Sequence, residues 1–199
     1  MSAPSEPAHV AANLPVPGEE HLGPLVARFD RWAERQLERW RGNPVSDTVF
    51  TSASRLGEFS TIWHLAGVAR GITCTARLRQ APVLAALLGA ESLLVNQGIK
   101  RAFRRTRPTS SGDDRFVLRT PLTSSFPSGH ASAAAFAATV LTTWDGRRSV
   151  PLWWGLAAVV ATSRAYVRVH HASDVVAGLA TGRALGLVAR CTLRRSGRG

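Results

Sequence analysis

The sequence predicts an all-α protein: a bundle of about five core helices, expected to be transmembrane, preceded by an amphipathic helix. Three observations carry this. Apolar segments rich in small residues recur at roughly 59–76, 80–99, 129–144, 150–167 and 174–190, and helices rich in Gly, Ala, Ser and Thr suit close packing inside a bilayer. Apolar residues between Leu22 and Trp40 keep helical spacing, with Arg and Glu on the opposite face. Positive charge collects at the ends of the apolar segments rather than along them.

Taken in order, residues 1–20 read as a flexible tail, rich in Pro, Ala and Glu and lacking the basic-then-apolar pattern of a cleaved signal peptide. Residues 21–48 form the amphipathic helix and a linker. Leu22, Leu25, Val26, Phe29, Trp32, Ala33, Leu37 and Trp40 make the apolar stripe, and Gly42-Asn43-Pro44 stops it. Two settings are open for this helix: a membrane surface, with Trp32 and Trp40 at headgroup depth, or the flank of a neighbouring helix. Residues 49–190 form the bundle domain and 191–199 a basic tail.

A spanning helix needs about 20 mostly apolar residues, and these segments are marginal. Pro82 to Val95 contains Glu91, the last segment contains Arg183, and the first contains His64 and Arg70. A bundle with polar inner faces reconciles the two, because intramembrane charges face protein or a cavity. A soluble helical bundle is the alternative. Cys74 and Cys191 are too few and too distant for a disulfide framework or a metal site.

Charge orients the bundle. Residues 1–58 hold six Arg against eight acids, whereas residues 59–199 hold nineteen cations against five acids, within a total of +12. Such an excess suits nucleic acid, anionic lipid or a phosphorylated substrate. Arg70, Arg77, Arg79, Arg147, Arg148, Arg190, Arg194, Arg195 and Arg198 share one side if the segments alternate across a membrane, and the positive-inside rule makes that side cytoplasmic. Segments 100–128 and 164–174 then lie together on the other side.

Those segments carry the chemistry. In "KRAFRRTRP" Lys100, the sole lysine, precedes Arg107 by seven residues, about two turns if helical. In "SSFPSGHASAAAF" Ser128 is placed to cap a helix, so that the amides of Gly129 and His130 face outward as a phosphate cradle. Gly129 permits close backbone approach, and His130 sits in the first turn. In "SRAYVRVHHASD" His170 and Asp174 are four apart, close enough on a helical turn for the carboxylate to fix the ring tautomer. Arg164 adds a forked guanidinium suited to phosphate oxygens. Each piece also has an ordinary reading: a lipid-facing basic stretch, a plain helix start, a capping aspartate. Neighbouring His171 is given no role, and Arg168 reads as surface. Asp113 and Asp114 read as solvated turn residues rather than metal ligands.

The ordered set Lys-x6-Arg-Pro, Pro-Ser-Gly-His and Ser-Arg-x5-His-x3-Asp resembles, without gap or substitution, the three-part signature of the type-2 phosphatidic acid phosphatase superfamily. The resemblance spans about Glu58 to Gly186. It implies a metal-independent phosphatase, with no cofactor, acting on a lipid phosphate or pyrophosphate through a phosphohistidine. His170 would be the nucleophile, Asp174 its orienting partner and His130 the proton donor. Lys100, Arg107, Ser128, Gly129 and Arg164 would bind the phosphate. A multi-pass protein of the inner or plasma membrane is expected, and the arginine distribution places its site on the non-cytoplasmic side. Polyprenyl species rank first among substrates, ahead of phosphatidate types. The alternatives are a vanadium-dependent haloperoxidase-like enzyme and a non-catalytic basic membrane or nucleic-acid-binding protein. The charge lies at segment ends without interleaved aromatics, which argues against a nucleic-acid partner.

Overall fold

The computed structural model describes residues 22–72, 74–108, 116 and 123–195; the expected tail, Asp113, Asp114 and Arg198 lie outside the described residues. All regular structure among the described residues is helical: α1 (Pro24–Glu38), α2 (Pro44–Leu56), α3 (Thr61–Ile72), α4 (Thr75–Leu78), α5 (Gln80–Leu93), α6 (Gly129–Asp145), α7 (Val150–Tyr166) and α8 (Ala172–Arg195). After α5 the chain continues through a π turn, Leu94–Gly98, and a 3₁₀ turn, Ile99–Ala102. The apolar segments fall on α3, α5, α6, α7 and α8. Helix α2, which the sequence reading splits between linker and bundle, is capped by the Asn43 side chain accepting from the amides of Val45 and Ser46.

Helix α6 is the axis. Every residue from Ala131 to Leu141 is buried, and α8 and α7 are its main packing partners. An alanine-rich helix can be buried all round only if its neighbours come close, and α8 supplies the means. Gly178, Gly182 and Gly186 recur every fourth residue; a Cβ on them would run into Ser128 O, Ser132 O and, at 2.7 Å, Thr139 Cβ respectively. Small residues at this spacing let two helix backbones touch. Gly182→Ala is therefore expected to destabilise the protein by more than about 1 to 3 kcal/mol, the usual cost of overpacking. Gly155→Ala in α7, where a Cβ meets open space, should be neutral or up to about 1 kcal/mol stabilising. Thermal melting of the two variants side by side checks the pair.

The bundle ends are tied differently. At one end Arg70 of α3 forks onto Asp145 at the end of α6, with N–O distances of 2.5 and 2.8 Å, while Trp153 of α7 donates to the same carboxylate at 3.0 Å. At the other end the Ser128 amide donates to Asp174 O at 2.9 Å, joining the starts of α6 and α8.

Helix α1 lies across that second end, against α7 and α8. Its inner face buries Ala27, Asp30 and Ala33, so the helix-flank setting holds for that face. Leu25, Phe29, Trp32 and Trp40 remain exposed. Just beyond α1, Arg41 donates to the terminal carbonyls of α7, Tyr166 O at 2.8 Å and Ala165 O at 3.1 Å. A cation there offsets the negative end of the helix. Arg168, read from the sequence as surface, is half-buried and paired with Glu34 and Glu38 of α1.

Candidate active site

Between the start of α6, the end of α7, the end of α5 with the turns that follow it, and the turn before α3, the structure opens a cavity of about 650 Å³. Lys100, Arg107, Gly129, His130, Arg164 and His170 line it. Ser128 and Asp174, both fully buried, stand behind its wall. The eight residues singled out by the three motifs are thus brought together, six at the surface of one cavity and two in support.

Each arrives by a local cause. Ser128 caps α6 as its sequence position predicts, its hydroxyl accepting from the Ala131 amide at 3.4 Å. The first turn of α6 therefore presents Gly129 and His130 to the cavity. A Cβ on Gly129 would stand 3.6 Å from Lys100 Nζ and 3.2 Å from Asn96 Oδ1; glycine keeps that approach open. Lys100 sits in the 3₁₀ turn, but the two-turn helical relation to Arg107 is absent. The helical run ends at Ala102, Phe103 is extended, and Arg107 comes from the segment after it. That segment is fastened to residues 124–125: the Arg105 amide donates to Ser124 Oγ at 3.1 Å and the Ser125 amide to Arg105 O at 2.9 Å.

Arg107 is the hub of the wall. It donates to Val169 O at 3.1 Å and Thr123 O at 3.1 Å, and its Nη1 lies 3.2 Å from His170 Nε2. A guanidinium can only donate, so His170 Nε2 carries the lone pair and Nδ1 the hydrogen. Nδ1 faces Asp174 Oδ2 at 3.6 Å, too long for a hydrogen bond; the carboxylate acts on the ring through charge. Asp174 also does what its ordinary reading requires, accepting from the His171 amide at 2.9 Å at the start of α8. His171, given no role from the sequence, places Nδ1 3.3 Å from that same oxygen. Arg164, 1% exposed, donates to the Ser54 hydroxyl of α2, and its carbonyl accepts the amides of Val169 and His170 at 3.1 and 3.0 Å.

Burial pushes the His170 imidazole down to about 3, with the charges of Arg107 and Arg164 adding to the depression and Asp174 opposing it. The ring is neutral throughout the physiological range, with its lone pair in the cavity. Burial also lowers the Arg107 guanidinium to about 10, which leaves it cationic. In ¹³C,¹⁵N-histidine NMR of the free protein, His170 should show no titration between about pH 5 and 8, the window in which an ordinary imidazole charges. Arg107→Gln removes one of the depressing charges and should move its midpoint upward; an unchanged midpoint would exclude that coupling.

Two further residues hold the dyad, and neither stands out in the sequence. Arg105 donates to Asp174 Oδ1 at 2.5 Å, to Ser173 Oγ at 2.7 Å and to Asp30 Oδ2 at 2.7 Å. Asp30 of α1 accepts in addition the Ser173 amide and hydroxyl, both at 2.8 Å. Asp30, Arg105 and Asp174 are all nearly sealed from solvent. Arg105 thus occupies one oxygen of Asp174 and leaves the other facing the two imidazoles. A sequence signal for this existed only in part: Asp30 interrupts the apolar inner stripe of α1.

Beyond the cations the cavity wall changes character. Glu91, buried in α5, accepts from the Ser132 hydroxyl, and Glu58, Ser60, Ser92 and Asn96 continue the lining. Among the described residues no cluster of three or more His, Cys, Asp or Glu is placed to hold a metal ion.

Residues 81–198, more than half of the chain, match the model of the PAP2 superfamily, and the protein belongs to that family. One relative is the decaprenylphosphoryl-5-phosphoribose phosphatase of Mycolicibacterium smegmatis, 34% identical over 139 residues that cover 69% of this chain and 73% of that protein. The fold resembles the crystal structure of a transmembrane PAP2-type phosphatidylglycerolphosphate phosphatase from Bacillus subtilis, with a TM-score of 0.65, 21% identity, and coverage of 86% of this chain and 87% of that one. Both relatives are phosphatases.

Proposed function

We propose that this protein is a membrane-embedded, metal-independent phosphatase that hydrolyses a polyprenyl-linked phosphate, with a prenyl-linked phosphopentose as the first-ranked substrate. The observation that carries the reading is the single cavity where two imidazoles face three fixed cations in a chain of this family. In the proposed reaction the phosphate takes over the donors of Lys100, Arg107 and Arg164 and the amide end of α6. His170 Nε2, released from Arg107, bonds to phosphorus as the P–O bond to the leaving group breaks, and His130 supplies the proton that the departing oxygen needs. A water then attacks the phosphohistidine, His130 takes its proton, and phosphate leaves with the electron pair of the P–N bond returned to His170. Fixed donors aimed at developing charge are usually the largest contribution to such catalysis, and losing one costs about 100-fold or more.

The sugar-bearing substrate is favoured by the far wall. Glu58, Ser60, Glu91, Ser92 and Asn96 offer acceptors that phosphate itself would not seek, but sugar hydroxyls would. The relative from Mycolicibacterium smegmatis bears a phosphopentose substrate in its name. The membrane setting is supported by two runs long and apolar enough to cross a bilayer, Thr75–Ala102 and Ala172–Arg195, whose apolar 18-residue stretches are only 22% and 33% buried. A core helix of a soluble protein would be covered; these present Leu93, Leu94, Val176 and Val188 outward. Phosphate release from decaprenylphosphoryl-5-phosphoribose, polyprenyl diphosphate, phosphatidate and phosphatidylglycerol phosphate in detergent tests the proposal. The prenyl phosphopentose should give the highest kcat/KM. Preference for phosphatidate would overturn the substrate assignment, and release from none of the four would overturn the enzyme.

A further inference from the structure

The opposite end of the bundle holds a second cavity, of about 470 Å³. It lies between the last turns of α6, the turn to α7 and the last turns of α8. On α6, His130 lines the first cavity and Thr142 the second, so at about 1.5 Å per residue the two stand roughly 18 Å apart along the helix. Arg183, Leu187, Arg190 and Arg194 line it from α8; steps of four, three and four place them on one stripe. Arg147 closes it from the turn, and Val150 and Trp154 of α7 add an apolar side.

These four arginines differ from Arg70 at the same end. Arg70 is matched to Asp145, whereas the side chains of Arg147, Arg183, Arg190 and Arg194 have no hydrogen-bond or ion-pair partner among the described residues. A hydroxyl in the same wall is unmatched too. Thr139 and Thr143 return their hydroxyls to Ala135 O and Thr139 O within α6, the usual habit of helical threonine. The Thr142 oxygen is buried and has no partner. Four guanidiniums without a protein partner line one concavity, three of them exposed and Arg190 half-buried, and such a cluster suits an anion with several acceptor oxygens. Phosphate has the geometry a forked guanidinium matches.

We infer that this cavity is a second phosphate-binding site, separate from the catalytic one. It takes a phosphate-bearing anion whose oxygens are shared by Arg147, Arg183, Arg190 and Arg194, with Leu187, Val150 and Trp154 beside any chain attached to it. Basic pockets between spanning helices on the cytoplasmic side suit anionic headgroups, so under the membrane reading the source is a phospholipid; for a soluble protein it is a free anion. The site itself does not depend on which.

The test uses the full-length protein purified in detergent. Thermal melting is followed during titration with phosphatidylglycerol, cardiolipin, phosphatidylcholine or inorganic pyrophosphate. Anionic lipid should raise the melting temperature saturably, and phosphatidylcholine should not. Arg183→Gln with Arg190→Gln should weaken the apparent affinity about tenfold or more, while Arg148→Gln with Arg195→Gln, an equal charge loss at the same end outside the cavity, should weaken it far less. Arg147→Gln, in the turn, repeats the effect without altering α8. A response to pyrophosphate alone identifies a soluble ligand and to lipid alone a headgroup; either supports the site. Equal responses to phosphatidylcholine and phosphatidylglycerol, or equal losses in the two double variants, overturn it. Phosphate release by the Arg183, Arg190 double variant should stay near wild type, which keeps this outcome distinct from failure of the enzymatic reading.

Discussion

His170→Ala should lower phosphate release by about 10⁴-fold or more, the scale on which loss of a covalent nucleophile is felt, with melting close to wild type. The ring is a cavity-wall group whose Nδ1 makes no hydrogen bond, so little structural support goes with it. The partner experiment separates nucleophile from proton donor. His130→Ala should be severely slowed on an alkyl phosphate, whose leaving oxygen must be protonated. It should form the phosphoenzyme much more readily from para-nitrophenyl phosphate, whose leaving group departs as an anion. Hydrolysis of that intermediate needs water activated by a base, so the acid-labile phosphohistidine should accumulate in His130→Ala and be absent from His170→Ala. A phosphoenzyme in the His170 variant would assign the nucleophile elsewhere, and equal slowing of His130→Ala on both substrates would remove its role as acid.

The second large effect concerns residues that never touch substrate. Arg105 is buried between Asp30 and Asp174 with ion-pair distances of 2.7 and 2.5 Å. Removing one partner of a buried charged set leaves the others uncompensated, at a cost of about 3 to 5 kcal/mol. Arg105→Gln is thus expected to melt well below wild type, and Asp30→Asn to fall in between because its amide oxygen can still accept from Ser173. Both should also lose about 10- to 100-fold in kcat with KM little changed, the range seen when the support of a catalytic group is removed. Arg105→Lys restores the charge without the fork that spans two carboxylates; stability should recover in part while kcat stays low. Normal kcat in folded Asp30→Asn would make the triad a matter of stability alone.

These residues show where the sequence stops being informative. The spacing of Lys100, Arg107, Ser128, Gly129, His130, Arg164, His170 and Asp174 is visible because the chemistry fixes residue type at each. Nothing in "KRAFRRTRP" distinguishes Arg105 from Arg101 or Arg104, since five cations in nine residues look alike until the chain turns at Phe103. Asp30 reads as one more charge on an amphipathic helix. Ser54, which holds Arg164, belongs to a polar helix whose stripe of Val45, Val49 and Ala53 is too sparse to mark. Helix α6 is legible because burial imposes its small, apolar composition; the route from Lys100 to Arg107 is not, because its fastening to residues 124–125 engages main-chain atoms of Arg105 and Thr106, which leave no pattern in side-chain type.

The glycine contacts between α6 and α8 have a bearing on how this catalyst can change. Where Gly178 and Gly182 press on the α6 backbone, main chain meets main chain, and almost no substitution there can be tolerated. The α6 side of the pocket, Gly129, His130 and Ala133, is thereby held as a fixed anvil that any phosphate must fit. The other half, from Phe59 and Ser60 round to Ser92 and Asn96, is built of side chains that can be exchanged without moving a helix. Selection or engineering for a new leaving group has one wall to work on, so variants with altered preference should cluster at the end of α5, the π turn after it and the turn before α3, and spare the α6–α8 seam.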